Sequence, residues 1–299
     1  MERKSHIDMF GAVALSGFAL FLAFNQVVIK VTNGGLQPVF FAGLRSAGAV
    51  VCLWAYLRWR GIPIRFEAGT RMAVLVTGFF FGLQFLCLFV ALDLTTVGRS
   101  AVIFYSMPVW LAIIAHFVMP NDKISALKAL GLVFAMAGVA WAMLNRGSGE
   151  ASIWGDIAAL GGALSWAVTA MMAKASPMAR LRPELQLYWQ VLVSAPILLG
   201  AAFFFGPFIR DLGPIHIAGL LFQTVVVVSA GFVFWLWLLS VYPASGVASF
   251  SFLSPVLSVG LGWLLLGEQV GFDLIGALAL VAVGILLINR PPRSRKTSA

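Results

Sequence analysis

Charge is what this sequence has least of: Asp, Glu, Lys and Arg make up 10% of its 299 residues, against about 25% in a water-soluble domain. That scarcity argues against a soluble enzyme, and against a nucleic-acid-binding domain despite a net charge of +9. Cysteine is nearly absent. Cys52 and Cys87 both fall in apolar runs, where they read as small packing residues, and no disulfide is expected. The three histidines and eleven acids form no H-E-x-x-H, no metal-ligand spacing and no acid–base pair at membrane depth, so neither a cofactor nor intramembrane catalysis is expected.

Apolar length, by contrast, is abundant. Hydrophobic residues are 61% of the chain, and ten stretches reach the roughly 20 mainly apolar residues that a bilayer-spanning helix requires. They lie near 8–31, 36–58, 70–91, 96–119, 124–144, 154–174, 184–206, 213–238, 244–266 and 270–290. The connections are too short for a soluble domain, and the first stretch, long and without a small-x-small cleavage site, reads as a retained span rather than a signal peptide. The positions of the twenty Lys and Arg residues explain the net charge. With a cytoplasmic N-terminus, fifteen face inside: Arg3, Lys4, Arg58, Arg60, Arg65, Arg71, Lys123, Lys128, Lys174, Arg180, Arg182, Arg290, Arg293, Arg295 and Lys296. Only Lys30, Arg99, Arg146 and Arg210 face outside, and Arg45 lies within a span. This is the positive-inside pattern; it puts both termini in the cytoplasm and gives the chain two partners, the lipid bilayer and a small-molecule substrate, but no nucleic acid. The oligomeric state is left open, a monomer being the simplest case.

The chain also resembles itself. Shifted by 144 positions, GAVALSGFALFLAFNQVVIK (11–30) falls on GDIAALGGALSWAVTAMMAK (155–174), and a shift of 147 places Pro108 on Pro255. LNR at 144–146 and INR at 288–290 close the two halves. The reading is a duplication, residues 1–148 and 149–299, each with five spans. An odd number of spans inverts the second copy relative to the first, and inverted repeats meeting near the bilayer midplane are a recurrent design of secondary transporters. The expected fold is therefore an all-α polytopic membrane protein of ten transmembrane helices arranged as two inverted five-helix repeats.

At this point the residues carry a resemblance. FNQVVIK (24–30), PVFFAGLR (38–45) and FVALDLTTVGRSAVIFYSMPVW (89–110) in the first half, with LSWAVTAMMAK (164–174) and the long run from Tyr242 to Ile288 in the second, resemble the EamA-type branch of the drug/metabolite transporter superfamily. The proline, the Gly267-Glu268 pair and Gly276 and Gly284 of that last run are its most recognisable part, and the first half departs from it where Asn121-Asp122 stands for Gly-Glu. Within the family the chain is most similar to the YddG-type exporters, and that similarity implies export of aromatic amino acids across the cytoplasmic (inner) membrane.

Polar side chains at membrane depth are costly and mark sites by default. Asn25 lies about two thirds along the first span and maps through the repeat onto Thr169; Gln84 is mid-span beside Gly78 and Gly82. Each is a candidate substrate contact or an interhelical hydrogen bond. Arg45, about seven residues or roughly 10 Å into its span, is within snorkelling reach of the outer interface and is expected to be a structural anchor, and His116 is expected to be interfacial. Of ten tryptophans, seven lie toward span ends and read as an interfacial belt. Trp166, deeper by about 18 Å than Trp154, joins Phe104 and Tyr105 as the candidate aromatic wall for a planar ligand. Pro108 and Pro255 are expected to kink their spans, as hinges or as static bends, and to free the carbonyls of Phe104 and Ser251, the latter a further candidate contact.

No Asp or Glu lies near the middle of any span; Asp93, Asp122, Asp156, Glu184 and Glu268 are all at ends. The expectation is thus facilitated transport, by alternating access through an aromatic-lined midplane cavity, rather than proton coupling. A nucleotide-sugar carrier needs several cations for phosphate, and Arg45 alone does not supply them. Export of lipophilic cations or drugs, and a passive channel or structural membrane component, stay open as alternatives.

Overall fold

The computed structural model describes residues 8–119, 123–144, 152–242, 250 and 253–288, and among these the regular structure is helical throughout. In chain order the helices are α1 (Met9–Asn33), α2 (Pro38–Trp59), α3 (Arg71–Leu94), α4 (Val97–Phe104), α5 (Met107–Val118), α6 (Ala126–Leu144), α7 (Ile153–Ala175) and α8 (Pro183–Ala202). Then come α9 (Pro214–Leu221), a π-helical stretch (Phe222–Gly231) that carries it into α10 (Phe232–Val241), α11 (Leu253–Leu266) and α12 (Phe272–Ile288). Among the described residues eight helical segments are long and apolar enough to cross a membrane, and α11 and α12 are shorter apolar helices. The chain is a multi-pass membrane protein.

Local chemistry explains most helix starts. Pro38, Pro183 and Pro214 open α2, α8 and α9, where the missing N–H has no intrahelical partner anyway. Gln37 caps α2 with its side-chain oxygen, 2.8 Å from the Phe40 N–H, and Thr96 and Ser152 cap α4 and α7 in the same way. The seventh stretch stops at Ala202, short of the expected 206, because the chain turns through Gly206 at φ +91°, a backbone geometry that glycine tolerates best.

The fourth span is broken. Val97–Phe104 and Met107–Val118 are separate helices joined at Tyr105-Ser106, and Pro108 stands in the first turn of α5. It ends one helix and permits the next, so the discontinuity falls ahead of the proline. The Ser106 hydroxyl donates to the Ile103 carbonyl at 2.6 Å and accepts from the Trp110 indole N–H at 3.2 Å. Pro255 is the third residue of α11, again close to a described helix start. Ser251 lies outside the described residues, as does the Asn121-Asp122 pair.

The closest helix pairings, α6 with α12, α3 with α7, α2 with α8, α3 with α8 and α1 with α11, all join the first half of the chain to the second. Small residues allow this: a Cβ on Gly138 would sit 2.7 Å from the Ala277 carbonyl, and one on Gly131 would sit 2.8 Å from that of Gly284, the backbone approach by which membrane helices associate. Phe272 is 92% exposed and Phe204 88%, whereas Gln223 is 0% and Arg45 1%. Apolar side chains outside and amides inside are what a lipid solvent imposes.

Candidate functional site

The broken span brings its two ring residues to α7. Phe104, the last residue of α4, stacks on Trp166 with ring centres 5.1 Å apart and planes at 21°; Tyr105 meets the same indole edge-on at 6.1 Å. Gly162, one turn before Trp166, makes room, since a Cβ there would lie 3.0 Å from the Phe104 ring and 3.3 Å from the Gln84 carbonyl. The three aromatic residues expected to form a wall are therefore together, with Gln84 of α3 at their edge. The Tyr105 hydroxyl meets the side chains of Ser254 on α11 and Gln26 on α1. Three helices from both halves thus converge on one phenol.

The other expected contacts are placed differently. Thr169 donates its hydroxyl to the Ser165 carbonyl at 2.9 Å, the back-bond common for threonine inside helices. Asn25 accepts from the Gln223 side-chain amide through its Oδ1, and the same amide lies 3.4 Å from the Asn25 carbonyl. Asn25 is in this sense an interhelical tie between α1 and the π-helical stretch, where backbone bonding is already irregular. Such stretches are frequent at functional sites.

Gln26, Gln223 and Ser254 were not among the residues that the sequence singled out. The rule that selects Asn25, an amide at membrane depth, selects Gln26 and Gln223 as well. Side-chain oxygens of Gln26, Gln84 and Gln223, and the hydroxyl of Ser258, are buried without a hydrogen-bond partner. Unpaired buried acceptors cost roughly 1–3 kcal/mol each, so several together mark a region built to receive donors.

Arg45 does not snorkel. It is 1% exposed, and its guanidinium lies over the Phe85 ring at 3.9 Å and the Phe89 ring at 5.0 Å. Its direction around α2, toward α3, keeps it in the interior. His116 is in the last turn of α5, where its Nδ1 accepts from the Ile124 N–H at 3.2 Å, at the span end as expected. Both cysteines are unpaired.

Around one end of the bundle several of the described charged side chains are engaged. Glu268 accepts from the N–H groups of Val97 at 2.6 Å and Gly98 at 3.0 Å, so it caps α4 from beyond the end of α11. Arg99 pairs with Asp156 at 2.6 Å and donates to the Ala142 carbonyl at 2.6 Å. Lys30 donates to the carbonyls of Leu92 and Thr95 at the end of α3. Arg210 holds Asp93 by two bonds of 2.6 and 2.9 Å, and that hydrogen bonding raises the Arg210 pKa above its ordinary value. Among the described residues no group of three metal-ligating side chains occurs.

The EamA-like transporter family matches the chain twice, over residues 9–144 and 153–290. Similar full-length proteins include the uncharacterized transporter YoaV of Bacillus subtilis, 25% identical over 93% of this chain and 95% of its own. YvbV of the same organism is 26% identical over 96% and 94%, and the uncharacterized inner membrane transporter YedA of Escherichia coli is 23% identical over 96% and 90%. A protein of known crystal structure shares the fold, with a TM-score of 0.65 at 19% identity over 94% of this chain and 98% of its own. Two family matches that together take in nearly every span leave one conclusion: the chain belongs to the EamA-like transporter family.

Proposed function

We propose that the protein is an exporter of aromatic and other hydrophobic amino acids, working by alternating access between two inverted five-helix repeats and driven by the substrate's own gradient. The observation that carries this reading is the stack of Trp166 on Phe104, closed by Tyr105 and bordered by Gln84. Ring faces suit a planar side chain, and the unpaired oxygens of Gln26, Gln84 and Gln223 suit an ammonium. The double family match supports the repeat. The break at Tyr105-Ser106 supports a hinge beside the site, because it separates two rigid helices next to the rings. The described acids near the site are engaged with partners at helix ends, which fits a carrier without proton coupling.

Counterflow tests the proposal. Proteoliposomes loaded with unlabelled phenylalanine should take up labelled phenylalanine saturably, as a channel would not. Tryptophan and leucine should compete, threonine less so. Trp166→Ala should lower exchange by about tenfold or more while leaving a folded, monodisperse protein, and Asn25→Ala should lower it less. Uptake inhibited by a lipophilic dication and by no amino acid would replace the reading with export of lipophilic cations, to which the same ring faces are suited. Strict dependence on an imposed pH gradient would contradict the facilitative mechanism.

A further inference from the structure

Arg45 is the charged group that the transporter framework leaves unexplained. The guanidinium is buried and its Cζ lies 3.9 Å from the centre of the Phe85 ring. Ring faces attract a cation, but weakly beside the cost of taking a guanidinium out of water. Neither Nε nor Nη2 has a hydrogen-bond partner. Those two nitrogens share one edge of the planar group, so their N–H bonds point the same way and form the fork that grips a carboxylate by both oxygens.

No protein carboxylate fills that fork among the described residues. Asp93 is held by Arg210, Asp156 by Arg99, and Glu268 by the start of α4. The other cations within the bundle differ from Arg45: Lys30 reaches two carbonyls, and Arg99 a carboxylate and a carbonyl. Arg45 therefore has a buried donor edge that no described side chain occupies. The rings beneath it, Phe85 and Phe89, belong to the same buried cluster as Phe104, against which Trp166 packs. Phe85 follows Gln84 on α3, and the Gln84 carbonyl lies against the pocket that Gly162 opens for Phe104. The acceptor oxygens of Gln26, Gln84 and Gln223 provide the opposite polarity.

We propose that Arg45 is the carboxylate-docking residue of the transport site, so that the solutes it takes are small zwitterions or monocarboxylates and not amines lacking an acid group. This rests on the transport reading above. It also favours amino acids over the lipophilic cations that the aromatic wall alone would admit, because a cation meets an unpaired guanidinium with repulsion.

Competition in the phenylalanine counterflow assay tests it, with phenethylamine, which keeps the ring and the ammonium and lacks the carboxylate. For the unaltered protein, phenylalanine should inhibit about 100-fold more strongly than phenethylamine. In Arg45→Gln the two should come within a few-fold of each other, chiefly through loss of phenylalanine affinity, and Arg45→Lys should keep part of the difference. A merely structural arginine would weaken both ligands together. Equal inhibition by the two compounds in the unaltered protein overturns the proposal without any variant. Full discrimination in a folded Arg45→Gln protein overturns it while leaving the transport reading intact, and absence of counterflow for every amino acid tried overturns both.

Discussion

The two ends of the helix bundle are held by different means. At the end where α1, α3 and α8 finish and α4 and α7 begin, side chains reach across the two halves of the chain. Glu268 caps α4, Arg99 pairs with Asp156, Arg210 pairs with Asp93, and Gln37 donates to the carbonyls of Ala202 and Gly206. Backbone joins in, with Gln37 N–H on the Phe208 carbonyl and Arg210 N–H on that of Gly35. At the opposite end the described polar contacts are mostly local: Gln186 to the carbonyls of Met178 and Leu181, Lys123 to that of His116, and Asp8 to the Tyr242 hydroxyl as the long-range tie. The first end resembles a latch made of charges and helix caps, and the described contacts of the second are mostly shorter in range.

The largest test of this contrast is Asp156→Ala. It removes the carboxylate that pairs with the buried Arg99 guanidinium, and should cost about 3–5 kcal/mol, read as a large fall in melting temperature in detergent. The paired replacement of Arg99→Met with Asp156→Leu should recover much of that loss, since it leaves no buried charge and gives up only the bond to the Ala142 carbonyl. Glu268→Ala strips the acceptor from two N–H groups at the start of α4 and should cost about 1–2 kcal/mol, with Glu268→Gln losing roughly half as much. Lys30→Met frees two carbonyls and should cost about 1 kcal/mol. The smallest effect is expected at the opposite end, where Tyr242→Phe removes one hydroxyl bond and should cost about 0.5–1 kcal/mol. A Tyr242→Phe loss as large as that of Asp156→Ala would erase the difference between the ends.

Much of this was legible in the sequence because it depends on local properties. Span positions follow from apolar length, and α1, α2, α3 and α7 begin and end within a few residues of where the hydropathy puts them. The grouping of Phe104, Tyr105 and Trp166 was also readable, because all three are aromatic residues well inside their spans rather than at the interfaces. What could not be read depends on azimuth and on partners. Counting along α2 gives the depth of Arg45 but not the side from which it leaves the helix, and it is the rings of Phe85 and Phe89 that hold it inward. Pro108 signals an irregularity, yet the break falls on Tyr105-Ser106 because a proline in the first turn lets a new helix start. Glu268 looks like a family signature in one dimension. In three it is the cap of a helix 170 positions away. The π-helical stretch at Phe222–Gly231 has no proline or glycine within it before Gly231 to announce it, and its Gln223 finds Asn25 only through the packing of α1.

The central claim is that the latched end and the opposite end open in alternation around the ring site. Paired spin labels in a protein with Cys52→Ala and Cys87→Ala measure this directly, one pair at Leu94 and Gln269 on the latched end and another at Lys123 and Arg180 on the other, all exposed positions. The account predicts a narrow, short distance between Leu94 and Gln269 without substrate, and opposite changes in the two pairs when phenylalanine is added. Distances that stay fixed with substrate, or that lengthen or shorten together, would contradict it.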